Sequence, residues 1–98
     1  MGGDHQAQGH TQVLVNLIDF GMNIQEAGEA ARVHHGNNGL AVESAVSHAA
    51  RAGLTQRGHH VSEPIGAYGG FQGILIDPQT GVLMGGSDPR KDGLAIGY

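Results

Sequence analysis

Apolar residues near the N-terminus of this chain recur with the period of a helix. They follow ten polar, glycine-rich residues, MGGDHQAQGH, which predict a loop. The apolar positions are Val13, Leu14, Leu17, Ile18 and Phe20. Their spacing predicts a helix over residues 11–21, and Gly21 stands where a helix often ends in a left-handed residue.

A capping pattern introduces a second helix. Asn23 is followed three residues later by Glu26, as in a capping box. Alanines continue the pattern at positions 27, 30 and 31. We therefore predict a short helix that ends before Gly36.

The middle of the chain alternates a turn, a strand and a helix. Asn37, Asn38 and Gly39 have the composition of a turn, and residues 40–43 predict a short strand. Ser47 can cap a third helix over residues 47–57, with Gly58 just beyond its end.

The C-terminal third predicts a sheet. Val61 lies in a short extended segment, and residues 71–76 and 82–84 predict two strands. Residues 77–81, Asp-Pro-Gln-Thr-Gly, form a tight loop between these two strands. Helices followed by an antiparallel sheet, with one helix between strands, indicate an α+β fold.

Two segments are apolar on more than one side. Residues 13–15 and 74–76 are consecutive apolar residues, which predicts burial on both faces of their elements. A chain of 98 residues has few layers with which to cover both faces. This pattern indicates that the chain is part of a larger structure.

Composition and charge exclude several classes of function. The chain has 18 glycines, no cysteine and a formal net charge of -4, with five Lys and Arg residues. That balance argues against a nucleic-acid partner and against an anionic membrane surface. No apolar run is long enough to span a bilayer, and the N-terminus shows no signal peptide. The absence of cysteine is compatible with a reducing compartment but does not identify one.

Seven histidines suggest a metal site, yet their spacing disfavours one. They are His5, His10, His34, His35, His48, His59 and His60. Zinc needs three or four converging ligands, and adjacent histidines point in different directions in a helix or strand. We therefore favour surface or loop positions for the histidines and predict neither a metal nor a cofactor.

Two polar or glycine-rich segments also admit two interpretations each. Asp88, Pro89 and Arg90, followed by Asp92, could bind an anion, but a structural ion pair that pins the C-terminal tail is favoured. The segment 66–70 could surround a phosphate, but without a preceding strand, a following helix or a lysine we favour a turn into the next strand.

The sequence contains no complete set of residues for nucleophilic catalysis. Thr11, Thr55 and Thr80 have local explanations as helix entry, helix surface and hairpin loop. Gly2 and Gly3 differ, because adjacent glycines let two backbone N–H groups approach a ligand closely. Such donors can stabilise an oxyanion during acyl transfer, although a flexible terminus is the simpler interpretation.

The sequence as a whole resembles the C-terminal part of the small subunit of γ-glutamyltranspeptidases. The matching segments occur in the family order over residues 2–98. They are GGDHQ (2–6), QVLVNLIDFGMN (12–23), EAARVHH (29–35), LAVES (40–44), QRGHHV (56–61) and GFQGILIDPQTGVLMGGSDPRKDGLAIGY (70–98). The terminal block and IDFGMN are specific, whereas GGD and RGH alone would not be.

This resemblance implies an N-terminal-nucleophile hydrolase with an αββα sandwich. The chain would contribute an antiparallel sheet and two to three helices, as a single partial domain over residues 1–98. The family transfers the γ-glutamyl group of glutathione and related compounds to water or amino acids through an N-terminal threonine. In this chain the resemblance assigns backbone oxyanion donors to Gly2 and Gly3.

The threonine motif of the family is absent here, as are its residues that hold the glutamyl amino and carboxylate groups. We therefore expect the isolated chain to be inactive and to need the remainder of the small subunit and the large subunit as partners. A related acylase specificity stays open, because the pocket residues lie outside this chain. The alternative is a non-catalytic module derived from that fold, which associates with itself or with a partner.

Overall fold

The computed structural model describes residues 1–64, 66 and 68–97. The helices are α1 (Gln6–Ile18), α2 (Ile24–Glu29) and α3 (His48–Gln56), and a 3₁₀ turn, Gly3–His5, leads directly into α1. The strands are β1 (Val33–Gly36), β2 (Gly39–Val42), β3 (Val61–Ser62), β4 (Gln72–Ile76) and β5 (Leu83–Ser87). Helices combined with antiparallel strand pairs confirm the predicted α+β class.

The residues group into two compact units. One, which we call the terminal unit, joins Met1–Ala30 to Gly69–Tyr98, and the other, the central unit, is Ala31–Tyr68. The single partial domain predicted over residues 1–98 stays a prediction.

The terminal unit is a β-hairpin covered on one face by a helix. Strands β4 and β5 pair antiparallel, from Gln72 opposite Ser87 to Ile76 opposite Leu83. Helix α2 packs on both strands, and α1 packs on α2. Among the described residues of this unit, the buried apolar ones are Val13, Ile24 and Ala27.

The central unit is a three-stranded sheet in the order β1-β2-β3. Strands β1 and β2 form an antiparallel hairpin around the turn at Asn37 and Asn38. Strand β3 pairs parallel to β2, so the expected antiparallel arrangement was wrong for this pair of strands. A parallel neighbour requires a crossover, and α3 provides it. Among the described residues of this unit, the buried apolar ones are Leu40, Ala41 and Val42 of β2.

Several predicted elements are confirmed by their caps and turns. The Asn23 side chain accepts from the Glu26 amide, and the Glu26 side chain accepts from the Asn23 amide, so both bonds of the capping box are present. The Ser47 hydroxyl accepts from the Ala50 amide at the start of α3. In the hairpin loop, the Asp77 amide donates to the Val82 carbonyl and the Gly81 amide donates to the Asp77 carbonyl.

Other boundaries were wrong. Helix α1 runs over Gln6–Ile18, so most of the predicted N-terminal loop is helical, and the predicted helix 11–21 begins and ends too late. Tertiary contacts explain the early start of the helix. Burial of His5, Gly9 and Val13 along one side of the segment stabilises the helix through residues of low hydropathy. Strand β1 was missed, since VHHG has no apolar run and is held by its pairing with β2.

The apolar hairpin is not buried on both faces by this chain. Ile74 is 69% exposed, Ile76 63% and Leu83 64%. These side chains share one face of the hairpin, because alternate residues of a strand point to the same side. The opposite face, which α2 covers, contains Leu75 and Met84, and it is more buried. Within the described part of the chain one face of the hairpin is therefore left uncovered, as expected of a chain with too few layers to cover both faces.

Candidate active site

Gly2 and Gly3 lie at the start of the helical segment that becomes α1. Their backbone angles are left-handed, with φ of 72° and 58°. A methyl group built on either residue would meet nothing within 4 Å. The Gln6 amide donates to the Gly3 carbonyl, which closes the 3₁₀ turn that follows. Glycine adopts such φ values more readily than other residues, which explains why two glycines stand at this point of the chain.

The electrostatics at this point follow from helix geometry. The first N–H groups of a helix have no partner within it, and the peptide dipoles add a partial positive charge at the same end. The 13-residue α1 therefore directs positive potential towards the segment at Gly2 and Gly3. An arrangement of this kind can stabilise a negatively charged oxygen.

His5 and Gly9 belong to the same region and were not recognised from the sequence. His5 is 7% exposed, so the predicted surface or loop position is wrong for this histidine. Gly9 is buried one helical turn further along α1. The detectable signal was the four-residue spacing of His5, Gly9 and Val13, which places them on one helix face. It was missed because the helix was predicted to begin at residue 11, after His5 and Gly9.

Asp88 and Arg90 form the ion pair that was favoured over anion binding. Asp88 is 1% exposed, and its Oδ1 accepts from Arg90 Nη1 at 3.0 Å. The other carboxylate oxygen accepts from the Phe71 amide at 2.9 Å. Arg90 also donates to the carbonyls of Gly28 and Ala30 at the end of α2. The pair therefore ties the segment after β5 to the start of β4 and to α2.

The threonines are engaged locally. The Thr11 hydroxyl donates to the Ala7 carbonyl at 2.7 Å, inside α1 rather than at its entry. The Thr55 hydroxyl donates to the Arg51 carbonyl on the surface of α3, and the Thr80 hydroxyl accepts from the Val82 amide in the hairpin loop. Helix surface and hairpin loop are confirmed for the last two.

In the glycine-rich segment 66–70, the Tyr68 carbonyl accepts from Arg32 Nη1 at 2.7 Å, and the Tyr68 ring stacks on His34. Ala67, in the middle of this segment, and Tyr98, the last residue of the terminal block, lie outside the described residues. Within residues 1–64, 66 and 68–97, no three His, Asp or Glu side chains converge as metal ligands would. No helix in the same ranges has the length and hydropathy to cross a membrane.

An open groove of about 580 Å³ lies in the terminal unit. It is lined by Ile74 and Leu83 of the exposed hairpin face and by Leu94 and Ile96 of the C-terminal tail. Among the described lining residues the polar side chain is that of Gln72. The groove has the character of a packing surface and lacks acid–base groups among these residues.

Known structures contain this arrangement of helices and strands. A cephalosporin acylase from Bacillus halodurans superposes with a TM-score of 0.90 at 42% identity, over 100% of this chain and 19% of that one. The fold is that of the N-terminal-nucleophile hydrolases, to which the chain contributes three helices and antiparallel strands. The family model for gamma-glutamyltranspeptidase matches residues 1–98, and the chain belongs to this family.

Two curated relatives show the range of activities at similar identity. The glutathione hydrolase proenzyme of Escherichia coli strain K12 is 40% identical over 90 residues, which cover 89% of this chain and 15% of that one. The acylase ACY 1 proenzyme of Pseudomonas sp. strain SE83 is 39% identical over 85 residues, which cover 87% of this chain and 15% of that one. This chain thus matches a small part of two longer proenzymes.

Proposed function

We propose that this chain forms the C-terminal segment of an enzyme that transfers the γ-glutamyl group of glutathione and related compounds to water or to amino acids. The observation that carries this proposal is the family match over residues 1–98. An N-terminal threonine outside this chain acts as the nucleophile, and its own α-amine acts as the base. The remainder of the small subunit and the large subunit are the partners.

Gly2 and Gly3 would act through their backbone N–H groups. As the nucleophile attacks the γ-glutamyl carbonyl, negative charge develops on the carbonyl oxygen, and two oriented donors stabilise it. The left-handed φ values at both glycines and their position before α1 support this role. The isolated chain lacks the nucleophile and is inactive.

The glycine role can be tested by Gly3→Ala in the complete enzyme that contains this chain. Alanine resists the left-handed backbone, so the N–H direction changes, and we expect kcat to fall by at least about tenfold. Gly21→Ala is the matched control, because Gly21 has a φ of 63° and equally open surroundings at the other end of α1. Equal kcat values for the two variants would contradict the assignment.

The inactivity of the isolated chain has a separate test. The pure 98-residue chain, incubated with a γ-glutamyl anilide, should release no anilide above the uncatalysed rate. Mixing it with the remainder of the small subunit and the large subunit should restore release. Robust turnover by the pure chain would overturn the proposal that the nucleophile lies elsewhere.

Acylase activity is the main competing possibility, because the acylase and the glutathione hydrolase have nearly equal sequence identity to this chain, 39% and 40%. The complete enzyme should be given a γ-glutamyl anilide and an N-acylated cephalosporin in parallel. A higher kcat/KM for the γ-glutamyl compound supports the proposal, and the reverse order replaces it with acylase activity.

The second candidate is a non-catalytic module that associates with itself or with a partner. The open apolar face of the hairpin at Ile74, Ile76 and Leu83 favours it, because such faces drive association. Light scattering of the isolated chain should then show concentration-dependent association, which Leu83→Glu abolishes. Gln79→Glu adds the same charge in the exposed loop of the same hairpin and should leave association unchanged. A monomeric wild-type chain with a cooperative melt would contradict this candidate.

A further inference from the structure

A buried stripe runs along the first turns of α1. His5, Gly9 and Val13 are four residues apart, and positions with this spacing lie on the same face of a helix. All three are buried. Because His5 directly precedes α1, the stripe begins within three residues of Gly2.

Gly9 leaves the space that the His5 ring occupies. A methyl group built on Gly9 would lie 3.0 Å from both Cδ2 and Nε2 of His5. Helical side chains lean towards the N-terminus, so any side chain at position 9 points at the turn that contains His5. The same methyl group would lie 3.0 Å from Sδ of Met1. Gly9 is therefore the point where Met1 and His5 both pack on the helix.

Met1 is held from a second side. A methyl group built on Gly69 would lie 2.6 Å from Met1 Sδ and 3.2 Å from the Met1 carbonyl oxygen. Met1 directly precedes the glycine pair, and His5 follows it after Asp4. Both residues thus pack against glycines, at Gly9 and at Gly69 for Met1 and at Gly9 for His5. Gly2 and Gly3 have no side chains of their own with which to fix their backbone.

We propose that Gly9 and His5 are positioning residues for the N–H groups of Gly2 and Gly3. This inference rests on the proposed role of that pair as oxyanion donors. The absence of a side chain at Gly9 leaves the space that the His5 ring fills. The packed ring fixes the turn that contains Gly3, and with it the direction of the Gly2 and Gly3 N–H groups. Displacement by about 1 Å is enough to lower a rate by up to about a hundredfold.

The test uses the complete enzyme that contains this chain, with Gly9→Ala as the first variant. The added methyl group would lie 3.0 Å from His5 and from Met1, which must move by a few tenths of an ångström. The value of kcat per titrated active site should therefore fall several-fold with KM unchanged. Hydrogen exchange measured by mass spectrometry should become faster over residues 1–5. Gly53→Ala is the control, because Gly53 also lies inside a helix but has nothing within 4 Å of a built methyl group. It should change neither kcat nor exchange.

A second variant covers the case in which Gly9→Ala does not fold. His5→Ala removes the ring that packs on Gly9, and it should also lower kcat with KM unchanged. Combined with Gly9→Ala, it removes the ring that the methyl group displaces, so the two losses should be less than multiplicative. Multiplicative losses, or a KM that rises while kcat stays constant, would overturn the inference.

Gly3→Ala distinguishes the two levels of the proposal. If Gly3→Ala lowers kcat while Gly9→Ala and His5→Ala do not, the positioning role fails and the oxyanion role survives. If Gly3→Ala leaves kcat unchanged, the oxyanion role fails, and the positioning role fails with it.

Discussion

Phe71 is packed between two glycines. A methyl group built on Gly28 of α2 or on Gly73 of β4 would overlap its ring. The ring therefore fills a slot whose walls are backbone on both sides. Because atoms on both sides restrict the ring, it cannot move away from an added side chain without cost.

Gly28→Ala should therefore destabilise the chain. Alanine gains about 1 kcal/mol of helix propensity over glycine, but overpacking against the ring costs about 1–3 kcal/mol. The net expectation is that the free energy of unfolding decreases by up to about 2 kcal/mol in urea titrations. Gly53→Ala, in open surroundings, should increase it by about 0.5–1 kcal/mol. Two variants of equal stability would contradict the slot.

Asp77 predicts a pH dependence. Hydrogen bonds from the backbone amides of Gln79 and then Thr80 lower the pKa of the Asp77 carboxyl group below its usual 3.8. A carboxylate with a lower pKa in the folded state stabilises the fold above about pH 3.8, and this stabilisation is lost as the pH falls through the folded pKa. Asp77→Asn removes the charge but keeps an acceptor. The Tm of the wild type should exceed that of the variant near neutral pH and converge with it in acid, whereas a constant difference would contradict the assignment.

At the scale of elements, the cap determines whether α2 forms. This helix has six residues, and helices so short are marginal without tertiary contacts or caps. Its carbonyls at Gly28 and Ala30 are bound by Arg90, while its N-terminus depends on Asn23 and Glu26. Because α2 covers the hairpin, losing the cap weakens the terminal unit as a whole.

Asn23→Ala should lower the free energy of unfolding by about 1 kcal/mol, the usual loss for an N-cap side chain. Asn23→Asp keeps the oxygen that accepts from the Glu26 amide and should stay close to the wild type. Thermal unfolding of the three proteins measures the difference. If both substitutions destabilise equally, the cap bond does not carry the effect.

Caps and turns were predicted from the sequence because their chemistry is local. Asn23, Ser47 and the loop 77–81 use side chains within four residues of the groups they bind. The start of α1 and the whole of β1 could not be found in this way. The first depends on burial of a stripe that includes a histidine and a glycine, and the second on a partner strand. The parallel pairing of β3 is also set by a neighbour distant in sequence.

Of the candidate site, the glycine pair was identified from the sequence and the buried His5 and Gly9 were not. The glycine pair came from the family resemblance, whereas the caps and turns came from local chemistry. Gly2 and Gly3 were identified by resemblance, and local pattern alone favoured a flexible terminus. Their left-handed φ values agree with a defined conformation. His5 and Gly9 escaped notice because the burial of a polar residue and of a glycine leaves no apolar signal in the sequence.

At the scale of the molecule, Asp88 and Arg90 connect segments that are far apart in sequence. Arg90→Met removes this ion pair from the buried Asp88 carboxylate. Breaking a buried pair by removing one partner costs about 3–5 kcal/mol, a large part of the stability of a domain. Arg57→Met, at an exposed position after α3, should change stability by no more than about 0.5 kcal/mol. Chemical unfolding measures both variants.

Adding Asp88→Asn to Arg90→Met removes the buried charge and should recover part of the lost stability. If the double variant is as unstable as Arg90→Met alone, the buried charge is not the cause.

The discontinuity of the terminal unit has a consequence for folding order. Gln25 and Ser87 exchange two hydrogen bonds although 62 residues separate them, whereas the hairpin of the central unit closes around Asn37 and Asn38. Closing a long loop costs more entropy, and contacts distant in sequence form slowly. Pulse-labelling hydrogen exchange should therefore detect protection of β1 and β2 before protection of β4 and β5. During synthesis α1 and α2 emerge before β4 and β5, so the terminal unit cannot close until those two strands have been made.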